Sequence, residues 1–186
     1  MLISHCIKEF IDDRRYRNLS TKTIQGYQIV LDLFRDYCAK HEIVDINDVT
    51  NATVKGFLLH LQNERNNNPT SRNSKLRTIK TFFNFLVESE IINDKQNPTR
   101  KINFAREEID IKPFTDEQIK KMLGYLRRRK QRQKFFVTVR DYTMIVFLLG
   151  TGVRLGELIN LKWSDVDLIN GTASILGKKG NYHLYR

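Results

Sequence analysis

Four times in the first half of the chain, apolar side chains return every third or fourth position, and this rhythm is what most limits the folds open to it. Leu2, Ile3, Cys6, Ile7, Phe10 and Ile11 form the first such series. Behind a Ser or Thr cap in "NLST", Ile24, Tyr27, Val30, Leu31, Phe34, Tyr37 and Cys38 form the second. Val54, Phe57, Leu58 and Leu61 make a third, and Leu76, Ile79, Phe82, Phe83, Leu86 and Val87 a fourth. Spacing of this kind gathers apolar groups on one side of a helix. A short helix cannot bury such a stripe alone, so the four predict a helical bundle over residues 1–95.

The pattern then lapses. Asn93 to Pro113 holds two prolines, mixed charge and no sustained period, which predicts a linker, set at residues 96–113. A second domain is expected over residues 114–186. Its first helix opens on a capping box, Thr115 with Gln118, ahead of Ile119, Met122, Leu123 and Leu126. Another helix runs through Tyr142, Ile145, Val146 and Leu149, breaks at Gly150 and Gly152, and is followed by a short one from about Arg154 to Leu161. After Trp163 the period changes to that of strands. "DVDL", an Asn170-Gly171 pair suited to a type I′ turn, "TASIL", the turn "GKKGN" and "YHLYR" read as a small meander. The fold class expected is mainly α, a four-helix domain followed by helices and a β-hairpin.

Composition narrows the partner. The 186 residues carry 32 Lys and Arg against 21 Asp and Glu, a net charge of +11. That balance suits a polyanion, with nucleic acid the default. No apolar run approaches the ~20 residues of a bilayer span, and Met1 to Phe10 lacks the ordered regions of a secretory signal. A cytoplasmic, nucleoid-associated protein with no membrane partner is expected. Cys6 and Cys38 fall on apolar helix faces outside any CxxC pair, and His5, His41, His60 and His183 have no metal-ligand spacing. No metal and no cofactor are therefore expected. "GTASILGKKG" imitates a phosphate-binding loop, but it has one residue too many between its glycines, lacks Ser or Thr after the lysine, and lies between strands. Nucleotide hydrolysis is rejected on that ground.

Several cations remain to be explained. Arg154 stands just after a glycine-broken joint and at the start of a helix, where its planar fork can meet an anion near unpaired amides. Glu157, three residues on, either orients that fork or forms an ordinary surface pair worth ~0.2–0.5 kcal/mol. Lys178 and Lys179 occupy a turn between Gly177 and Gly180, and they are read either as solvated or as a ribbon tip that reaches DNA or a leaving oxygen. On the fourth helix Arg72, Lys75, Arg77 and Lys80 are candidate DNA-backbone contacts, or simply its solvated side. The acid-free "RRRKQRQK" run allows the same two readings.

The assembled motifs resemble the tyrosine recombinases, the phage and transposon integrase family. "NSKLRTIKTFFNFLVESEIINDKQNP" resembles the close of its SAM-like core-binding domain, "PFTDEQIKKML" the opening of its catalytic domain, and "TGVRLGELINLKWSDVD" followed by "GKKGN" its first catalytic signature. The resemblance implies cleavage and rejoining of double-stranded DNA through a 3′-phosphotyrosine, without metal or nucleotide, by enzymes that close on the duplex and self-associate there. It casts Arg154 as the clamp on the scissile phosphate and Lys178 as the proton donor to the departing 5′ oxygen. This turn is one residue longer than the common form, so Lys179 is open as the functional lysine. The family's His-x-x-Arg motif, a further His or Trp, and the nucleophilic Tyr lie well beyond the hairpin. Tyr182 and Tyr185 do not replace that nucleophile. The chain is accordingly expected to be a C-terminally truncated member, inactive alone, with uncovered apolar faces near its C-terminus that leave that part poorly ordered or covered by self-association. The alternative is a non-catalytic DNA-binding protein that occupies recombination sites and blocks the reaction.

Overall fold

The computed structural model describes residues 1–108, 111–133, 135–177 and 182–185. It divides into two compact units, Met1–Ile109 and Asp110–Arg186. The architecture is mainly α, as expected.

The first unit contains four helices, α1 (Ile3–Tyr16), α2 (Thr21–Lys40), α3 (Asn51–Asn63) and α4 (Pro69–Glu88). Their starts are written locally. Ser20 Oγ accepts from the Thr23 amide, Thr50 and Thr53 cap each other reciprocally, and Asn68 Oδ1 accepts from the Ser71 amide ahead of Pro69. The ends of α1, α2 and α4 share one device. Asn18, Glu42 and Glu90 take left-handed φ of 55°, 60° and 57°. Each donates its amide two residues before the cap, and the next amide, of Leu19, Ile43 or Ile91, reaches one residue further back to Arg14, Cys38 or Leu86. This is a Schellman closure with a hydrophobic residue after the left-handed position. Ile43 and Ile91 then pack on the core.

That core is aromatic, and every helix contributes. Phe10 from α1, Phe34 from α2, Phe57 from α3, and Phe82 and Phe83 from α4 are fully buried. Phe10 meets Phe82 edge-on at 5.6 Å, Phe34 meets Phe57 at 5.2 Å and Phe83 at 6.2 Å, and neighbouring Phe82 and Phe83 join the two groups at 5.3 Å. Cys6 and Cys38 are buried free thiols, whose burial raises their pKa to about 11 and about 12. Both stay protonated at neutral pH.

The segment read as a linker is tied, over its first half, to this unit. Asn97 Nδ2 donates to Asn84 Oδ1 on α4, and Asn51 Nδ2 of α3 donates to the Pro98 carbonyl. Asn73, buried in α4, pairs with both backbone groups of Ala105: Nδ2 donates to its carbonyl and Oδ1 accepts its amide, each at 2.8 Å. Glu107 accepts from Asn73 Nδ2 at 2.6 Å and from Thr70 Oγ1 at 3.1 Å. Buried Ile102 adds its side chain to the core. Composition reads this stretch as a linker because prolines and charges fill it; the amides on α3 and α4 that hold its first half give no periodic signal.

The second unit contains α5 (Asp116–Arg132), α6 (Phe136–Thr151), α7 (Leu155–Asn160), and an antiparallel sheet of β1 (Val166–Asp167), β2 (Thr172–Leu176) and β3 (Tyr182–Tyr185), in that order. The Thr115–Gln118 capping box is present. The β1–β2 turn differs from expectation. Asp167 pairs with Thr172, leaving a four-residue loop in which Gly171 alone has positive φ, 64°. A type I′ turn needs positive φ at both central residues. Asp167 Oδ1 instead accepts from the amides of Ile169 and Asn170, which favours a side-chain-closed turn. Val153, Ala173 and Ile175 form a small core with Phe147, Leu158 and Tyr185 around it. Leu155, Ile159 and Trp163 remain exposed, Trp163 84% so.

Two measurements check this account of the first unit. Phe34→Ala, which empties the centre of the ring network, should cost about 3–5 kcal/mol in urea unfolding. Glu90→Gly, which removes a Cβ from a left-handed position, should raise stability by up to about 1 kcal/mol in the same assay.

Candidate nucleic-acid interface

Gly152 closes α6 in the left-handed region, φ 67°, and its amide donates to the Leu148 carbonyl. The chain then anchors Val153 in the small core and turns into α7 with Arg154 as the N-cap. Arg has no acceptor for helix amides, so the cap works in one direction only. Glu157 Oε2 accepts the Arg154 backbone amide and Oε1 accepts Arg154 Nη1, each at 2.9 Å. The carboxylate is sheltered, 11% exposed, while the guanidinium is 82% exposed. One acid thus secures both the backbone and one corner of the fork, and the other donors of the fork face outward. The Arg154–Glu157 contact from which both readings of Glu157 start is present, between residues three apart.

The Arg154 amide, then the Arg154 side chain, hold the Glu157 pKa below the ordinary glutamate range, with smaller help from His183. His183 lies on β3 opposite Ile175. The string His183-Leu184-Tyr185-Arg186 has His-x-x-Arg spacing, which the sequence reading passes over. His183 holds a strand position, and Arg186 lies outside the described residues. Lys178 and Lys179, the hairpin lysines, also lie outside them, in the connection between Leu176 and Tyr182. Tyr185 packs against the small core, and Tyr182 is an exposed strand residue paired with Leu176.

In the first unit the four α4 cations go to different places. Arg72 Nη1 donates to Gln62 Oε1 on α3 at 2.6 Å. Lys75 Nζ donates to Asn67 Oδ1 at 2.7 Å and Ser71 Oγ at 2.9 Å, tying down the α3–α4 connection. Burial, then neighbouring Arg65, lowers the Lys75 pKa. Arg77 and Lys80 flank a different residue, Phe104, each charge 5.3 Å from its ring centre. The four therefore do not form one face: Arg77 and Lys80 come together, while Arg72 and Lys75 serve the α3–α4 junction. Phe104 is 47% exposed and was missed; its one signal is a lone aromatic in a polar stretch. In the basic run, Lys130 sits 4.8 Å over the Tyr142 ring, while Arg128, Arg129 and Arg132 line a shallow depression with Tyr125. Among the described residues, no group of three or more His, Cys, Asp or Glu could hold a metal ion, and no helix is long and apolar enough to cross a membrane.

Comparison with known proteins adds two family matches. The model for the phage integrase N-terminal SAM-like domain matches residues 6–93, and that for the phage integrase family matches residues 112–185. Tyrosine recombinase XerC of Roseiflexus sp. (strain RS-1) is 29% identical over 165 residues, covering 88% of this chain and 50% of that protein. A tyrosine recombinase of Agathobacter rectalis is 32% identical over 170 residues, covering 87% and 53%. The chain spans about half the length of these relatives. Among solved structures, a lambda integrase(75-356) dimer bound to a COC' core site matches with TM-score 0.77 at 16% identity, over 100% of this chain and 62% of that one. The Tn1549 transposon integrase (aa 82-397) in complex with circular intermediate DNA matches with TM-score 0.70 at 20% identity, over 100% and 59%. At these identities the likeness is one of fold.

The double hold on Glu157 has a measurable consequence. Its folded pKa is depressed, so its capping contribution is complete above the ordinary glutamate pKa of about 4.3 and is lost as pH falls through the lowered value. In a carbon-detected NMR titration the Glu157 carboxyl midpoint should lie below that reference. In Arg154→Gln it should rise only part of the way, because the residue 154 amide still donates.

Proposed function

This chain belongs to the phage integrase, or tyrosine recombinase, family, and from that premise we propose that it holds double-stranded DNA and presents Arg154 to a phosphodiester. The observation that carries the reading is the Arg154–Glu157 arrangement. A guanidinium fixed at one corner and exposed at the others is ready to give two parallel charge-assisted hydrogen bonds to nonbridging phosphate oxygens. In the family's reaction those oxygens gain charge as a tyrosine oxygen attacks phosphorus and the 5′ oxygen departs. Donors already in place stabilise that charge without reorganising. Lys178 or Lys179 is proposed to give the departing oxygen its proton.

Arg77 and Lys80, steadied by Phe104, are proposed as backbone contacts of the first unit, and the net charge of +11 supports that role. Self-association on DNA, which the lambda integrase dimer exhibits, is proposed for this chain too. Strand cleavage also needs a nucleophile. Tyr185 is packed against a core and Tyr182 lies on a strand, so neither is assigned that role.

Duplex binding tests the proposal directly. Log K should fall linearly with log salt, with a slope near −0.9 for each phosphate contacted. A flat line would remove DNA as the partner. With a nicked suicide duplex, the 186-residue chain should give no covalent adduct on a denaturing gel; an adduct would assign the nucleophile to this polypeptide.

A further inference from the structure

Asn followed by Gly occurs once in the chain, at Asn170-Gly171 in the loop between β1 and β2. In such a pair the backbone can attack its own side chain, because Gly has no Cβ to shield the amide that follows Asn. Here the attacking group is accessible. Asn170 and Gly171 are both exposed, and the space where a Gly171 Cβ would stand is open out to 4 Å. Among the described residues the Gly171 amide has no hydrogen-bond acceptor, so no bond must break before it reacts.

One neighbour opposes the reaction. Asp167 Oδ2 accepts from Asn170 Nδ2 at 2.6 Å, while Oδ1 accepts from the amides of Asn170 at 3.0 Å and Ile169 at 2.9 Å. The Asn170 amide, then its side chain, hold the Asp167 pKa below the ordinary aspartate range, so the carboxylate is ionised at neutral pH. An ionised acceptor has no proton to give a departing nitrogen. It also disfavours a second negative charge nearby, such as the one the Gly171 nitrogen carries when it attacks. The charge-assisted bond to Nδ2 is lost as that nitrogen leaves.

We propose that Asn170 is a site of spontaneous deamidation, with water as the co-reactant, and that the Asp167 carboxylate slows the conversion. The Gly171 nitrogen gives its proton to a solvent base and bonds to Asn170 Cγ. The Cγ–Nδ2 bond breaks, and Nδ2 takes a proton from water and departs as ammonia. Water then opens the cyclic imide at either carbonyl, giving aspartate or isoaspartate at position 170. No oxidant or reductant takes part. Either product places a carboxylate beside Asp167 where a donor stood, and the isoaspartyl form also inserts a carbon into the backbone. Repulsion between the two acids loosens the loop, and the Val166–Ala173 pairing next to it belongs to the small core that anchors Val153. The modification therefore acts on the frame that carries Arg154, whether or not the chain binds DNA.

The test incubates the full chain in neutral buffer and follows each asparagine by peptide mass spectrometry, with fragmentation to separate positions. Asn170 should convert ahead of every other asparagine; conversion no faster than the rest would overturn the site. Asp167→Asn, which keeps the shape and removes the charge, should speed conversion at Asn170 several-fold, and an unchanged rate would overturn the role of Asp167. In concentrated urea the two forms should convert alike, because the hold depends on the folded loop; a difference that persists there would reassign the effect to local sequence. Asn170→Asp makes one product directly. It should speed hydrogen exchange at the Ala173 amide several-fold and leave that of Phe82 unchanged, whereas equal exchange at Ala173 would sink the proposed loosening.

Discussion

The rings of α4 hold the first unit together. Phe82 and Phe83 are adjacent in sequence, yet they serve different neighbours, since Phe82 meets Phe10 of α1 while Phe83 meets Phe34 of α2, which in turn meets Phe57 of α3. One helix therefore touches the rings of α1 and α2 directly and is linked to that of α3 through Phe34. Edge-on rings of this kind add directional preference to simple apolar burial. They fix how α4 is rotated, and that rotation decides where each of its polar residues points.

The placement of the polar residues follows from that orientation. With the rings inward, Asn73 is buried where it can pair with the Ala105 backbone like one strand with another, and Asn84 meets Asn97. Arg77 and Lys80 emerge on the side where Phe104 lies. A buried amide is stable only when its donors and acceptor are satisfied, so Asn73 specifies the path of the chain after α4 more sharply than an apolar residue would.

In the second unit the same logic acts at smaller scale. Val153 anchors the chain, Gly152 turns it, and Glu157 holds the Arg154 amide and guanidinium together. The acid is sheltered and the base exposed, so the arginine is held at one corner while the rest of its side chain is open to solvent. Under the proposed function, that arrangement is what presents Arg154 to a phosphate.

Much of this was legible in the order of residues. The four apolar stripes, the caps at Ser20 and Thr115, the break at Gly152 and the Arg154–Glu157 spacing are short-range features, and short-range sterics and hydrogen bonding already determine them. What stayed hidden depends on contacts distant in sequence. Asn73 lies 32 residues from Ala105, and Asn51 lies 47 from Pro98. The Asn170-Gly171 turn was misread because Asp167, outside the pair, closes the loop. The split of Arg72 and Lys75 from Arg77 and Lys80 likewise needed the packed bundle, since helical spacing tells which residues share a side but not what stands opposite them. Sequence alone determined which segments are helices and that their burden is cationic; tertiary packing decided which cations line up, because only the folded backbone supplies the amides and rings that hold them in place.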